Sequence, residues 1–259
     1  MRRFEERVSL HPLGVGNVYT LPTSVLDIVS FRGSFRSCPD LTENEDLTQS
    51  LCTSTLDKGT AHRTKIEIAE ALENVGAEVH FSSAELHVRF HGRALRKDVG
   101  MVMELVAEQI RSPALPESEF EVVRVRSVAA ARRTMESTAD QAERALRRAL
   151  FDAAHPNYGI TPEETIAFYE SAELSAVRQF HSEHFGARDL NIVFVGDVEP
   201  EELSEDVESA FAGWSDHREA DNFSDSSKDE RGSPRSYVEV PDKPNSDVAM
   251  GHAIPIRRD

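Results

Sequence analysis

The residues able to do chemistry fall into five groups. His181 and His184 stand three apart with Glu183 between them, a spacing at which two imidazoles on one helix can share a metal ion. Phe180 and Phe185 supply the apolar positions around them, so the histidines are expected on the solvated side of the helix. His80, His87 and His91 fall in a predicted hairpin, where alternation sets His87, Arg89 and His91 against the apolar set Leu86, Val88 and Phe90. The acid pairs Glu163–Glu164 and Glu201–Glu202 open predicted helices, where the dipole favours negative charge, and are not read as catalytic dyads. Cys38 and Cys52 have no C-x-x-C spacing and are expected as free thiols. Gly196-Asp197 follows a strand, but no Gly-x-x-x-x-Gly-Lys pattern makes it a phosphate loop.

The elements that must position these groups can be read along the chain. Residues 18–21, 26–31 and 33–35 have the alternation of strands, and a polar loop with Pro39 follows. Asn44 or Thr42 is expected to cap a helix over 45–57 that ends at Gly59. Thr64 caps the next helix, whose apolar stripe is Ile66, Ile68, Ala69, Leu72 and Val75, with Gly76 at its end. Residues 78–81 and 86–90 form the hairpin. A helix over 96–111 buries Val99, Val102, Met103, Val106 and Ile110, and Pro113 and Pro116 break it. A long helical region over 117–151 softens at Ser137-Thr138. Pro162 opens a further helix, and Ser171 or Ser175 caps one running to Phe185. Residues 190–195 are expected as a buried strand, and 200–211 as a helix with Leu203, Val207 and Phe211 inward. Residues 217–235 are polar and read as a linker, and 237–240 and 247–254 as strands. Strands and helices without regular βαβ alternation predict an α+β fold, helices packed on a largely antiparallel sheet. The expected division is a domain over 1–216, the linker 217–235, and strands over 236–259. These last either return to the sheet or begin a second, similar domain of a longer protein.

Composition narrows the function classes. The chain has 259 residues and a net charge of −17, which argues against a nucleic-acid partner. Of 29 basic residues only five are lysine, and an acidic, arginine-biased surface fits a salt-adapted host. No apolar run reaches the ~20 residues of a membrane span. The start has basic residues but no apolar core of a secretory signal, so a cytoplasmic protein is expected.

Taken in order, several landmarks resemble one family: a helix ending in Lys58-Gly59-Thr60, a second ending in Leu72-Glu-Asn-Val-Gly-Ala77, and a hairpin. Ser112-Pro113, a long helix, His155-Pro-Asn-Tyr-Gly159 and the strand Ile192-Val-Phe-Val-Gly-Asp197 follow. Over roughly residues 15–256 the chain resembles the N-terminal domain of the insulinase/pitrilysin metallopeptidases, which include the mitochondrial processing peptidases. The resemblance implies a processing-peptidase-like metallopeptidase domain. Active members carry H-x-x-E-H on the first helix, with two imidazoles and a distant Glu on zinc and the motif's Glu as general base.

By that resemblance the two histidines would stand at Ser50 and Ser54, the base at Thr53, and the distant ligand near Ala131, with Glu136 the closest acid downstream. Neutral hydroxyls are poor zinc ligands beside imidazole and carboxylate, and threonine cannot act as a base near neutral pH. The four positions are therefore expected to be vestigial, with no catalytic residue and no zinc in this chain. The family's active-site hairpin resembles residues 76–83, with Asn where His80 stands and Thr where Ser83 stands. His80 and Ser83 are thus implied as substrate-facing, although alternation alone reads His80 as outward.

Family members work as pairs of similar halves around a chamber, one of which can lack the metal. The resemblance implies an inactive half with peptide and partner contacts, beside a homologous chain or segment whose intact motif holds the zinc. Two alternatives stand beside it. One is a zinc peptidase with ligands from elsewhere, such as His80 with His181 and His184. The other is an assembly protein that kept the fold without proteolysis.

Overall fold

A computed structural model describes residues 4–37, 45–84, 86–153, 155, 157–215 and 235–252. Six strands form one sheet: β1 (Ser9–Leu13), β2 (Gly16–Pro22), β3 (Ile28–Arg36), β4 (Glu78–Ala84), β5 (His87–Leu95) and β6 (Asn191–Gly196). Their order is β1-β2-β6-β3-β5-β4, antiparallel at every pairing except β2 with β6. The α+β, largely antiparallel expectation holds. The helices are α1 (Glu45–Thr53), α2 (Lys65–Glu73), α3 (Val99–Arg111), α4 (Glu117–Met135), α5 (Thr138–Leu150), α6 (Pro162–Ser171), α7 (Leu174–His184) and α8 (Pro200–Ala210).

The strands expected over 26–31 and 33–35 are one, β3, which begins at Ile28 and runs to Arg36, and its glycine is explained by the partner strand. Gly33 lies opposite Phe90 and Phe31 opposite Gly92, and each phenyl ring covers the facing glycine. A Cβ on Gly33 would sit 2.1 Å from the Phe90 ring, and one on Gly92 2.5 Å from Phe31. The inward rows of β3, β5 and β6 bury Val29, Phe31, Phe35, Val88, Phe90, Ile192 and Phe194. Against them pack α3, with all five of its expected core residues buried, and α8 with Leu203 and Val207. Phe211 and Trp214 close this cluster, Trp214 edge-on to Phe35 at 5.1 Å.

Helix boundaries follow local chemistry. Thr64 and Thr161 each form a capping box, with Glu67 and Glu164 respectively, and Ser137 caps α5 where the long helix breaks. Gly76 takes φ +63 just past α2, as a helix stop requires.

Several expectations are corrected. Neither Ser171 nor Ser175 caps α7. Glu173 is the cap residue, and the two hydroxyls bond to Ala167 O and the Glu173 carboxylate. Of the α2 stripe only Ile68 is fully buried; Ile66 is 68% exposed, because one short face of α2 reaches β4. β6 is buried on one face, and Val193 is 39% exposed on the other. β1 was not expected: it carries Pro12 and lacks alternation, both tolerated because it is an edge strand.

Residues 237–240 and 247–252 are not strands. They run as irregular chain beside α5, with Tyr237 and Met250 each 88% exposed. No sheet edge lies there to pair them; instead Asn245 and Asp247 bond Thr138 at the start of α5. The proposed caps Thr42 and Asn44, Cys38, and nearly all of the linker 217–235 lie outside the described residues, as do 253–259. Among the described residues no helix is long and apolar enough to cross a membrane.

Candidate functional site

α1 is held by one apolar edge and one buried amide. Leu47, Leu51 and Cys52 join a second apolar cluster with Phe120 and Val123 of α4, Tyr169 of α6, and Val177 and Phe180 of α7. Gln49 is buried and ties α1 to the sheet: its Oε1 accepts from Ser37 Oγ at 2.9 Å and its Nε2 donates to His87 O at 3.3 Å. Thr55 Oγ1 donates to Leu51 O and Cys52 O as the helix ends. Beyond it Gly59 takes φ +120, and Thr60 Oγ1 donates to the Glu108 carboxylate, which also pairs with Arg63. Thr60 and Pro113 form a bridge, so the Lys58-Gly59-Thr60 end is anchored on α3 and the break after it.

Within this frame lie the four positions expected to be vestigial. Ser50 is half-buried and hydrogen-bonded to the Tyr169 hydroxyl. Thr53 is buried, and its Oγ1 has no hydrogen-bond partner. Ser54 is exposed at the helix end. Ala131 is buried on α4, which touches α1. Three residues past Ala131, Thr134 shares a cavity of about 360 Å³ with Asp46 and Leu47 of α1, and with Arg144, Tyr158 and Thr165. Thus the start of α1 and the end of α4 face one space, and Ser50, Thr53, Ser54 and Ala131 lie outside its lining.

Sequence reasoning passed over Asp46 and Tyr169. Burial pushes the Asp46 carboxyl above its ordinary range, against the opposing pull of the Leu47 amide. Burial also raises the Tyr169 hydroxyl, which Ser50 opposes. The signal for Asp46 was its i, i+4 relation to Ser50, one turn earlier on the same face; Tyr169 carried none beyond its place in an apolar stripe. Burial likewise pushes the Cys52 thiol up, which makes it inert.

The other candidates do not converge here. His80 faces away from the helices, its ring 5.2 Å from His91 on the neighbouring strand, whereas Ser83 is on the helix-facing side of β4. The pair implied as substrate-facing is therefore split between two faces, because residues three apart on a strand must be. The solvated pair expected on α7 is also corrected. His181 is largely buried and its Nε2–H donates to Ile110 O at 2.8 Å; burial lowers its pKa. His184 stacks on Phe180 at 4.5 Å, 3.9 Å from Glu45. His80, His181 and His184 share no site, and no described group of three or more His, Cys, Asp or Glu is placed to hold a metal. Nor do the α1 and α4 residues fit zinc: an orphaned threonine hydroxyl and a buried methyl offer neither a strong ligand nor a base.

A mostly antiparallel sheet with helices over one face, and α1 with the Lys58-Gly59-Thr60 turn beyond its end beside the edge strand β4, define an α+β class of domain. Comparison places the chain within that class. The insulinase (peptidase family M16) model matches residues 48–161, and the peptidase M16 inactive domain model matches 171–258. The chain belongs to the insulinase, or M16, peptidase family. The second match contributes β6, which lies between β2 and β3 in the sheet that also holds β4 and β5 of the first match.

A curated relative described as an uncharacterized zinc protease of Streptomyces coelicolor is 21% identical over 60% of this chain and 34% of its own length. A peptidase M16 inactive domain from Pseudomonas fluorescens superposes with TM-score 0.70 at 18% identity, covering 82% of this chain and 52% of that one. A protease from Helicobacter pylori gives TM-score 0.69 at 18% identity, covering 82% and 51%. The chain therefore spans about a third of the curated relative and about half of the solved ones.

Proposed function

We propose that this chain is a non-catalytic insulinase-like domain. It forms a wall of a peptide chamber and a contact surface for a homologous chain or segment whose intact motif carries the zinc. Its support comes from Ser50, Thr53, Ser54 and Ala131. All four positions of the resemblance lack imidazole and carboxylate, and the helix bearing three of them is still packed, capped by its Thr55 bonds and anchored at Thr60. Leaving the Thr53 hydroxyl buried and unpaired costs roughly 1–3 kcal/mol. A helix that keeps its packing while its ligand positions turn neutral is retained as scaffold. The Streptomyces relative is named a zinc protease, whereas Ser50, Thr53, Ser54 and Ala131 offer neither a strong ligand nor a base for that chemistry.

Metal analysis of the purified chain is the test. The wild-type chain is expected to hold no stoichiometric zinc, and the variant Ser50→His/Thr53→Glu/Ser54→His/Ala131→Glu to take it up. Stoichiometric zinc in the wild type, lost together with peptidase activity on chelation, would overturn the proposal. Pull-down from native cells is expected to recover a homologue with an intact H-x-x-E-H.

A further inference from the structure

The two faces of the sheet differ in charge as well as in burial. The inward rows are apolar and lie under the helices, while the outward rows are exposed and positive. Arg32 of β3 and Arg89, His91 and Arg93 of β5 all point outward and are exposed, as is His80 of β4. The register groups them: Arg32 lies beside His91, which lies beside His80, while Arg89 lies between Ser34 and Ser82. The outward strand positions hold a single acid, Glu78, which pairs with Arg93 at 3.0 Å. Arg32 and Arg89 make no ion pair among the described residues. Such a surface is anomalous here, because the chain as a whole has 46 acidic residues against 29 basic ones.

Sheet geometry sets the spacing of these charges. Neighbouring strands are ~4.8 Å apart and alternate residues ~6.8 Å, so Arg32 stands ~8 Å diagonally from both Arg89 and Arg93, with His91 between them. That spacing is close to the ~7 Å between carboxylates at every second residue of an extended peptide. Guanidinium groups engage carboxylates through paired parallel hydrogen bonds, which adds orientation to charge.

We propose that this open face of the sheet is a docking surface for an acidic polypeptide segment. A nucleic acid fits it less well. The outward rows of β3, β4 and β5 hold no Phe, Tyr or Trp, the His80 and His91 rings there face each other at 5.2 Å, and a long, uniformly charged strand would run on over a surface of net charge −17. A protein segment can confine its negative charge to the patch. The face lies across the sheet from α1, so the proposal is independent of the fate of the zinc positions.

Fluorescence anisotropy tests it. The probe is a labelled polyglutamate peptide, roughly five glutamates between Gly-Ser flanks that bring it to about 15 residues, with a Gly-Ser peptide, an oligothymidylate and phosphatidylglycerol vesicles as comparisons. In roughly 0.15 M salt the polyglutamate is expected to bind about tenfold or more tighter than each comparison, and to weaken toward roughly 1 M salt. The variant Arg32→Ser/Arg89→Ser/Arg93→Ser is expected to lose about tenfold in affinity, and Arg126→Ser/Arg133→Ser on α4 to lose none. If the triple variant fails to fold, judged by circular dichroism, Arg89→Ser alone should still lose about threefold. Three results would overturn the proposal: polyglutamate binding no tighter than Gly-Ser, unchanged affinity in the variants, or oligothymidylate or vesicles binding as tightly as polyglutamate.

Discussion

The two apolar clusters of the molecule are built differently. The sheet-side cluster stacks Phe31, Phe35, Phe90, Phe194, Phe211 and Trp214 between sheet, α3 and α8, with Thr20 as its buried hydroxyl. The α1-side cluster is smaller and mixed. Among Leu47, Leu51, Val123 and Phe180 it keeps a buried carboxyl, the Ser50 and Thr53 hydroxyls and the Tyr169 phenol, beside a cavity. Apolar burial scales with the area removed from water, so the sheet-side cluster carries most of the folding free energy. The α1 side can change its polar residues at little cost to the fold. The proposed loss of metal ligands is then compatible with retention of the architecture, because the two involve different clusters.

Substitutions can break this comparison. The largest effect is expected for Phe194→Ala, which empties a fully buried site between β3 and the helices. Urea unfolding should show a loss of ~3–5 kcal/mol. A loss under about 1 kcal/mol would show that the sheet-side cluster repacks freely and that the contrast is wrong. Thr53→Val keeps the shape and removes the unpaired hydroxyl. It should raise the unfolding free energy by about 1 kcal/mol. A loss of similar size would mean that this hydroxyl has a partner in solution, and that α1 still binds something at its inward face.

How much of this was visible in the sequence depended on the force in play. Where one periodic apolar face met one surface, as in α3 with Val99, Val102, Met103, Val106 and Ile110, the pattern alone located the core. Local capping chemistry was equally readable: Thr64 has Glu67 three residues on, and Ser137 interrupts an otherwise continuous helix. What failed was whatever depends on a distant partner. β1 is a strand because β2 lies beside it, and 237–240 is not one because no edge is free beside α5. The α7 histidines read as solvated, since no local signal announces that Ile110 of α3 will meet His181. The candidate site was legible as a set of substituted positions in order along two helices. Its neighbours Asp46 and Tyr169 were not, because burial gives each its altered acidity, and burial is a tertiary property.

The smallest expected effect concerns that same α7 contact and has a definite sign. His181 is held neutral by burial while its Nε2–H donates to Ile110 O, so its folded pKa lies below the ordinary value near ~6.5. The unfolded chain then takes up a proton that the folded one refuses. The stabilisation is complete above the ordinary pKa and is lost as pH falls through the interval down to the folded value. The capping acids Glu67 and Glu164, whose pKa values are lowered by bonds to Thr64 and Thr161, act in the same direction at lower pH and are common to any α7 variant. His181→Gln keeps an amide donor for Ile110 O and removes the titration. Its urea-unfolding free energy should fall less than that of the wild type as pH drops from about 7 to 5. A wild type that instead lost less stability than His181→Gln on acidification would mean that His181 is charged in the fold. The α7 pair with Glu45 would then be an ionic site rather than a packed one, and the apolar description of the α1-side cluster would have to give way there first.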